Sequence, residues 1–427
     1  MAVLRPASTE EVSEAVKICA EHGVAIVPQG GNTNVCGMTL ASRDAVILNL
    51  SRMNQIIEVD REGGTITVEA GATMQAVQEA ATEAGLLFAP DWGARGSAQV
   101  GGAVATNGGG LNVIGYGTTR EQVMGLEAVL ADGRIWNGMR HHIKDNSGYD
   151  LKQLLIGSEG TLGIITRLVF RLHPAPSHRI SMMAVLTSTD RLMDALALAR
   201  QTAGDQLVAF ELMNGLGVEL ALERYPDLKR PFETRADWYV LIQLAGGPTV
   251  TEAMEQIFSD GFEQEIFSDG VLANSIAQER NLWEIREQLI PIQYFDCPFA
   301  KWDVSVPVSR IMEYLHRARD IASDVDPELV CYAVGHVGDG NIHYNIFLQG
   351  RSEAEAERII PELIRRIDDL IAEMGGSITA EHGVGTAYIE RVRRLKSGVE
   401  YELMLKLREL FDPNGILNPG KLLPRKG

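Results

Sequence analysis

The chain has 427 residues, of which 45% are hydrophobic and 22% charged, and a formal net charge of −18. That length and composition suit two or three ordinary globular domains. The acidic balance argues against a nucleic-acid surface, which needs clustered Lys and Arg, and no local basic block offers a membrane-surface role. The opening "MAVLRPASTEEV" has no apolar core of signal-peptide type, and no apolar run is long enough to span a bilayer. The four cysteines, Cys19, Cys36, Cys297 and Cys331, form no C-x-x-C pair, so a reduced, cytoplasmic protein is the expectation. Glycine is in excess, at 43 residues against a usual share of about 7%. Many of them cluster, as happens where backbone approaches a ligand.

In chain order, Ser8 and Glu11 have capping-box spacing, Val12, Ala15, Val16 and Cys19 form an apolar stripe, and Gly23 stands where a helix stops. "VAIV" reads as a short buried strand and "TITVEAG" alternates like one. "LEAVLADGRIW" reads as a hairpin turning at Asp132-Gly133. "LHPAPSH", residues 172–178, is the best domain boundary. Beyond it, strands such as "SMMAVLTS", "VAFELM", "WYVLIQLAG" and "KWDVSVP" alternate with helical stretches. This pattern predicts an α+β domain with helices on one face of an antiparallel sheet. "EAEAERIIPELIRRIDDLIAEMGG" is a strong amphipathic helix, and "LRELFDPNGILNPGK" a helix, a turn and an extended exit. "EQIFSDG" at 255–261 is nearly repeated as "EQEIFSDG" at 263–270, a local duplication with no chemistry assigned.

Three glycine-rich loops could cradle an anionic cofactor: "PQGGNTNVCG" (28–37), "GSAQVGGAVATNGGG" (96–110) and "GSEGTLGIIT" (157–166). Small residues let successive backbone N–H groups converge on one phosphate oxygen, and Thr33, Ser97, Asn107 and Ser158 add side-chain donors. Flexible surface loops remain the alternative. Neither G-x-G-x-x-G nor a Walker A sequence is present, so a Rossmann site and a P-loop find no support.

The order and spacing of these loops, together with "RPASTEEV" and "GYGTTREQVMGLEAVLADG", resemble the FAD-binding domain of vanillyl-alcohol-oxidase-type flavoproteins. Members of that family usually carry a further segment ahead of the helix with which this chain begins. The resemblance implies that FAD is held by Gly30, Gly31, Asn32, Thr33, Gly96, Ser97, Gly101, Gly102, Thr106 and Asn107 around the pyrophosphate, and by Gly160 and Ile164 near the flavin. It also implies non-covalent FAD, with Cys36 a small packed residue.

"GHVGDGNIHYNIF" (335–347) cannot be one helix, because Gly338 and Gly340 interrupt it. As strand, turn and strand it places His343 and Asn345 on one face and Ile342, Tyr344 and Ile346 on the other. The turn could bring His336 beside that polar face, and two converging imidazoles suit Zn²⁺ or a similar ion. Glu381, in "ITAEHGVG", is the best third ligand and leaves His382 as a base. Hydrogen-bonded histidines without metal are the alternative.

These segments, with "LFDPNGILNPGK", resemble the C-terminal domain of FAD-linked 2-hydroxyacid dehydrogenases, nearest the D-2-hydroxyglutarate and D-lactate enzymes and the glycolate oxidase subunit. That resemblance implies metal ligands His336, His343 and Glu381, a catalytic base His382, and substrate contacts from Arg286, Lys301 and Asn345. It also brings Asn418 back to the flavin. Arg286 could instead be a surface ion pair with Glu284 or Glu287, and Lys301 a strand-edge charge.

The fold expected is thus α+β. A two-lobed FAD-binding domain occupies 1–173, an α+β substrate or cap domain with an antiparallel sheet 178–405, and a C-terminal segment 406–427 returns to the FAD domain. The activity expected is oxidation of a D-2-hydroxy acid, a diacid favoured, with Zn²⁺ preferred and Mn²⁺ tolerated. Electrons would pass to an electron-transfer flavoprotein, a quinone or oxygen, and homodimer formation is left open. Alternatives are a D-lactate dehydrogenase, a flavoprotein subunit of a glycolate oxidase-like complex, and a flavin-free metallohydrolase.

Overall fold

The computed structural model describes residues 2–291 and 297–425. The chain divides into two compact units, Met1–Asn112 with Tyr116–Ala175 and Glu381–Gly427, and Val113–Gly115 with Pro176–Ala380. The crossing at 175/176 falls within the proline-rich break seen in the sequence. The return differs: residues 381–405, expected with the substrate domain, belong to the first unit. Backbone explains this, because the N–H groups of Val384 and Gly385 donate to the Glu159 carboxylate and that of Thr386 to the Cys36 carbonyl.

The first unit has two sheets. Strands Ala2–Leu4, Val46–Asn49 and Ile26–Gln29 run parallel in that spatial order. Strands Ile56–Asp60, Thr65–Glu69, Ile164–Arg171, Val123–Val129 and Ile135–Gly138 form an antiparallel sheet. Helix Thr9–His22 starts where the Ser8 hydroxyl accepts the Glu11 N–H at 3.2 Å. The Glu11 carboxylate closes the cap on the Ala7 N–H, at 2.7 Å. The helix stops at Gly23, whose φ of 64° is left-handed. It buries Val12, Val16 and Cys19 in a core shared with Leu126, Leu168, Phe170 and Leu417. The hairpin turns at Asp132-Gly133 between Val129 and Ile135, as the sequence predicts. After helix Gly398–Phe411, the Asp412 carboxylate accepts the N–H groups of Ile416 and Leu417, which lays the tail alongside Ile26.

The second unit is built on a seven-stranded antiparallel sheet, in the order Phe267–Leu272, His178–Leu186, Trp238–Gly246, Leu207–Asn214, Val330–His336, Asn341–Phe347, Phe299–Ser305. Helices cover both faces, not one. Leu282 and Ile285 of helix Ile276–Gln288 pack with Met183, Leu241 and Val334 on one side. On the other side, Tyr314 of helix Ile311–Val325 meets the Tyr344 ring edge-on at 5.7 Å, and Trp302 donates to Asp368 of helix Glu353–Glu373. A sheet whose strands carry apolar residues on both faces needs two covers. Among the described residues no helix is long and apolar enough to cross a membrane.

The near-repeat resolves into two different structures. "IFSDG" at 257–261 is helical, within Val250–Glu263, whereas "IFSDG" at 266–270 runs into the edge strand Phe267–Leu272. The two copies pack on each other: a Cβ added at Gly261 would stand 2.2 Å from the Phe267 ring, and that ring is 2% exposed. G261A gains about 1 kcal/mol of helix propensity but overpacks a site where such insertions cost about 1–3 kcal/mol. The substitution should therefore lower the urea midpoint of the transition that unfolds this unit, without changing its slope. A midpoint at or above the parent value would refute the packing argument.

Candidate active site

In the second unit the hairpin "GHVGDGNIHYN" forms as the sequence implies, with His336 opposite Asn341 and Val334 opposite His343. Asp339 tightens the turn by accepting the Asn341 N–H at 3.0 Å. His336 and His343 thus become diagonal neighbours on one face, with ring centroids 5.7 Å apart and planes at 82°. Each is 7% exposed.

Two carboxylates hold this pair, and the sequence reading missed both. Glu211, 1% exposed and opposite His336 in the sheet, accepts from His336 Nδ1 at 2.7 Å. It also accepts from Arg286 Nε at 2.8 Å and stands 2.7 Å from Arg286 Nη2. Burial works to raise the Glu211 pKa, but the neighbouring His336 and Arg286 hold it below the usual carboxylate range. Asp303, opposite His343, lies 3.7 Å from His343 Nδ1 and accepts from Asn341 Nδ2 at 3.0 Å and from the Ala380 N–H at 3.1 Å. A signal existed: "VAFELM" and "KWDVSVP" each carry one acid inside an apolar strand, and a buried acid must be paired.

Arg286 is buried and paired with Glu211, whereas the sequence alternative paired it at the surface with Glu284 or Glu287. Lys301 is half-buried and sits directly opposite Asn345. Asn345, 1% exposed, has an Nδ2 with no hydrogen-bond partner. A buried amide donor left unsatisfied costs about 1–3 kcal/mol, so it fits a site where a ligand oxygen completes the bond. Two imidazoles with carboxylates beside them are also the donor types that a divalent ion such as Zn²⁺ takes.

In the first unit the glycine loops meet at the backbone. A Cβ on Gly31 would stand 1.8 Å from the Ser97 carbonyl oxygen, so only glycine lets the 28–37 and 96–107 loops approach this closely. Asn32, Thr33, Gly96, Ser97 and Gly102 are exposed, and Gly101 and Gly160 are buried. Thr106 bonds back to the Gly102 and Ala103 carbonyls, and Asn107 Oδ1 accepts from Arg120 N–H and Thr118, so these two side chains brace the loop. Ile164 is a core residue. Cys36 is buried.

The loop at 157–160 docks on the end of helix Val100–Thr106 through Gly157 N–H to Val104 and Glu159 N–H to Ala105. Glu159, at a left-handed φ of 53°, takes the N–H groups of Val384 and Gly385 at 2.6 and 2.9 Å. Burial pushes its pKa up, against the pull of those donors and of Lys421. Asn418 Nδ2 donates to the carbonyls of Glu159 and Met38, at 2.7 and 3.2 Å. Three buried polar atoms here have no partner: Asn34 Nδ2, Gln99 Oε1 and Asn418 Oδ1. One donor and two acceptors beside glycine loops suit a large polar cofactor such as FAD. Glu381 accepts the Gly110 N–H at 3.0 Å, and its Oε1 is 3.6 Å from His382 Nε2. His382 is partly exposed.

Comparison with known proteins agrees with this construction. Residues 1–138 match the family described as "FAD binding domain", and residues 175–422 the family "FAD linked oxidases, C-terminal domain". The chain is 36% identical over 424 residues to D-2-hydroxyglutarate dehydrogenase of Xanthomonas citri pv. viticola, covering 99% of this chain and 89% of that protein. It is 35% identical over 427 residues to the mitochondrial D-2-hydroxyglutarate dehydrogenase of Arabidopsis thaliana, covering 99% and 75%. A substrate-bound crystal structure of p-cresol methylhydroxylase superposes with a TM-score of 0.79 at 20% identity, over 98% of this chain and 88% of that one. That likeness shows the fold, a vanillyl-alcohol-oxidase-type flavoprotein architecture. With both halves matched and full-length relatives above 30% identity, the chain belongs to the FAD-linked oxidases, in the group of D-2-hydroxyglutarate and D-lactate dehydrogenases, and is an FAD-dependent 2-hydroxyacid dehydrogenase.

Proposed function

We propose that the protein oxidises a D-2-hydroxy acid, preferentially a dicarboxylate of the 2-hydroxyglutarate type, to its 2-oxo acid, and that it needs a divalent cation to do so. The observation that carries this reading is the imidazole pair on one face of the sheet, flanked by Asp303 and Glu211. His336 and His343 are the proposed metal ligands, with Glu381 as the third. Glu381, next to the proposed base His382, supplies the carboxylate of a His₂Glu set. Zn²⁺ suits this set, and Mn²⁺ is the alternative ion.

When bound, FAD supplies the acceptor for the substrate hydride, and the cation supplies a Lewis acid that lowers the pKa of the substrate hydroxyl. The protein's own groups do the rest. His382 would take the hydroxyl proton as the carbon–hydrogen bond breaks, so that each oxo acid formed leaves one proton on the imidazole and one hydride with the acceptor. Asn345 Nδ2, which has no partner, donates to a substrate oxygen. Lys301, facing it across the strand pair, supplies a positive charge for a carboxylate. Arg286 supplies direction more than net charge, because Glu211 neutralises it. The charge of Lys301, added to the direction given by Arg286 and Asn345, offers a second carboxylate a partner and favours a diacid over D-lactate. A flavin-free hydrolase would leave the whole first unit without a task.

The deciding experiment is anaerobic bleaching of the bound flavin with a panel of D- and L-2-hydroxy acids. D-dicarboxylates should bleach fastest, and indifference to configuration or to all hydroxy acids would defeat the reading. H382A should keep its flavin yet slow that bleaching by about 10²–10⁴-fold; unchanged reduction would mean that another group takes the proton. Dialysis against a chelator should abolish turnover, and Zn²⁺ or Mn²⁺ should restore it; full activity in protein shown to be metal-free would remove the cation. K301A should raise KM for the diacid far more than for D-lactate. Equal effects would place Lys301 away from the distal carboxylate.

A further inference from the structure

Glu211 takes no part in the chemistry proposed above, yet it is among the most buried charges of the described residues, at 1% exposed, and it touches two proposed site residues at once. We infer that Glu211 is a positioning residue whose single carboxylate fixes His336 as the Nδ1–H tautomer, so that Nε2 is the ligating nitrogen, and fixes the angle at which Arg286 is presented. This inference rests on the metal reading proposed above and deepens it.

The Arg286 guanidinium can only donate. An ionised carboxylate can only accept, so the 2.7 Å contact to Oε1 requires the proton on His336 Nδ1. The other oxygen, Oε2, takes Arg286 Nε at 2.8 Å and lies 2.7 Å from Nη2. The division is clean: one oxygen faces the ring and the other the guanidinium. The sheet enforces it, because Glu211 and His336 are paired in register across adjacent strands. Arg286 is brought to the same carboxylate by a helix anchored elsewhere. Glu279 of that helix accepts from the Ser181 hydroxyl at 2.8 Å, and Trp283 Nε1 donates to the same hydroxyl at 3.1 Å. Positions 279, 283 and 286 share one helix face, so the approach of Arg286 is set two turns away. Orienting a metal-binding imidazole through its second nitrogen is worth about 10–100-fold in metal affinity.

The test uses the FAD-loaded, chelator-treated protein, titrated with Zn²⁺ alone and with Mn²⁺ alone. In E211Q one carboxamide oxygen cannot serve both donors, and its NH₂ faces one of them. The wild type should take up about one equivalent of ion. E211Q should bind it about 10–100-fold more weakly while retaining stoichiometric flavin absorbance. R286K disturbs the same buried pair but spares the bond to His336; it should bind the ion as the wild type does while its KM for the hydroxy acid rises. Should E211Q fail to fold, E211D keeps a charge beside Arg286 but withdraws it from His336 by one methylene, and the same loss is expected. Wild-type ion affinity in E211Q or E211D would overturn the positioning role and leave the metal reading standing. So would an equal loss in R286K, since the buried pair would then act as mere structure. A wild type that takes up no ion would bring down both.

Discussion

A charge buried in a β-strand has to be answered by its neighbours, and much of the second unit is arranged around one such answer. Glu211 sits in the centre of Leu207–Asn214, a strand whose other residues are apolar but for the terminal Asn214. Leaving that carboxylate unpaired would cost several kcal/mol, on the order of 3–5 for a broken buried pair. Its partners come from both directions available to a sheet residue: His336 from the adjoining strand, Arg286 from the helix above. The helix that carries Arg286 buries only Leu282 and Ile285 among its apolar residues, so polar contacts at Glu279, Trp283 and Arg286 do much to fix its rotation. The polar end of the sheet face and the apolar core of the same face therefore meet along one helix.

The first unit meets a different constraint, how to hold long glycine loops still. Its solution is to clamp them with side chains that take or give backbone hydrogen bonds. Glu159 gathers the N–H groups of Val384 and Gly385, and Asn418 bridges the carbonyls of Glu159 and Met38. Both residues adopt left-handed backbone, with φ of 53° and 41°, a conformation that costs a non-glycine residue energy and persists only when surrounding bonds over-determine it. Loops separated by more than two hundred residues in sequence share one node, and beside it Asn34, Gln99 and Asn418 keep buried polar atoms without a partner.

The two arrangements suit the two proposed roles for different reasons. A flavin site needs close backbone approach, which glycine permits and loops provide. A cation and acid-binding site needs side chains at fixed distances, which a sheet provides because alternate residues point to one face.

Features that depend on neighbours along the chain were legible in the residues alone. The Ser8 cap, the Gly23 stop, the Asp132-Gly133 hairpin and the alternation of "NIHYN" all express spacings of a few residues, and all appear as expected. So does the order of the glycine loops, whose motif content was enough to indicate the flavoprotein architecture. Tertiary structure alone decided which acids stand behind the two histidines, since Glu211 and Asp303 are 125 and 40 residues from their partners (336 − 211 and 343 − 303). It also placed helices on both faces of the sheet and moved the return of the chain to Glu381. The clearest case is "IFSDG", helical at 257–261 and running into a strand at 266–270. Five identical residues carry identical local preferences, so the difference comes from what each copy is packed against: an edge of the sheet offers unpaired backbone to one, and the sheet face offers apolar cover to the other.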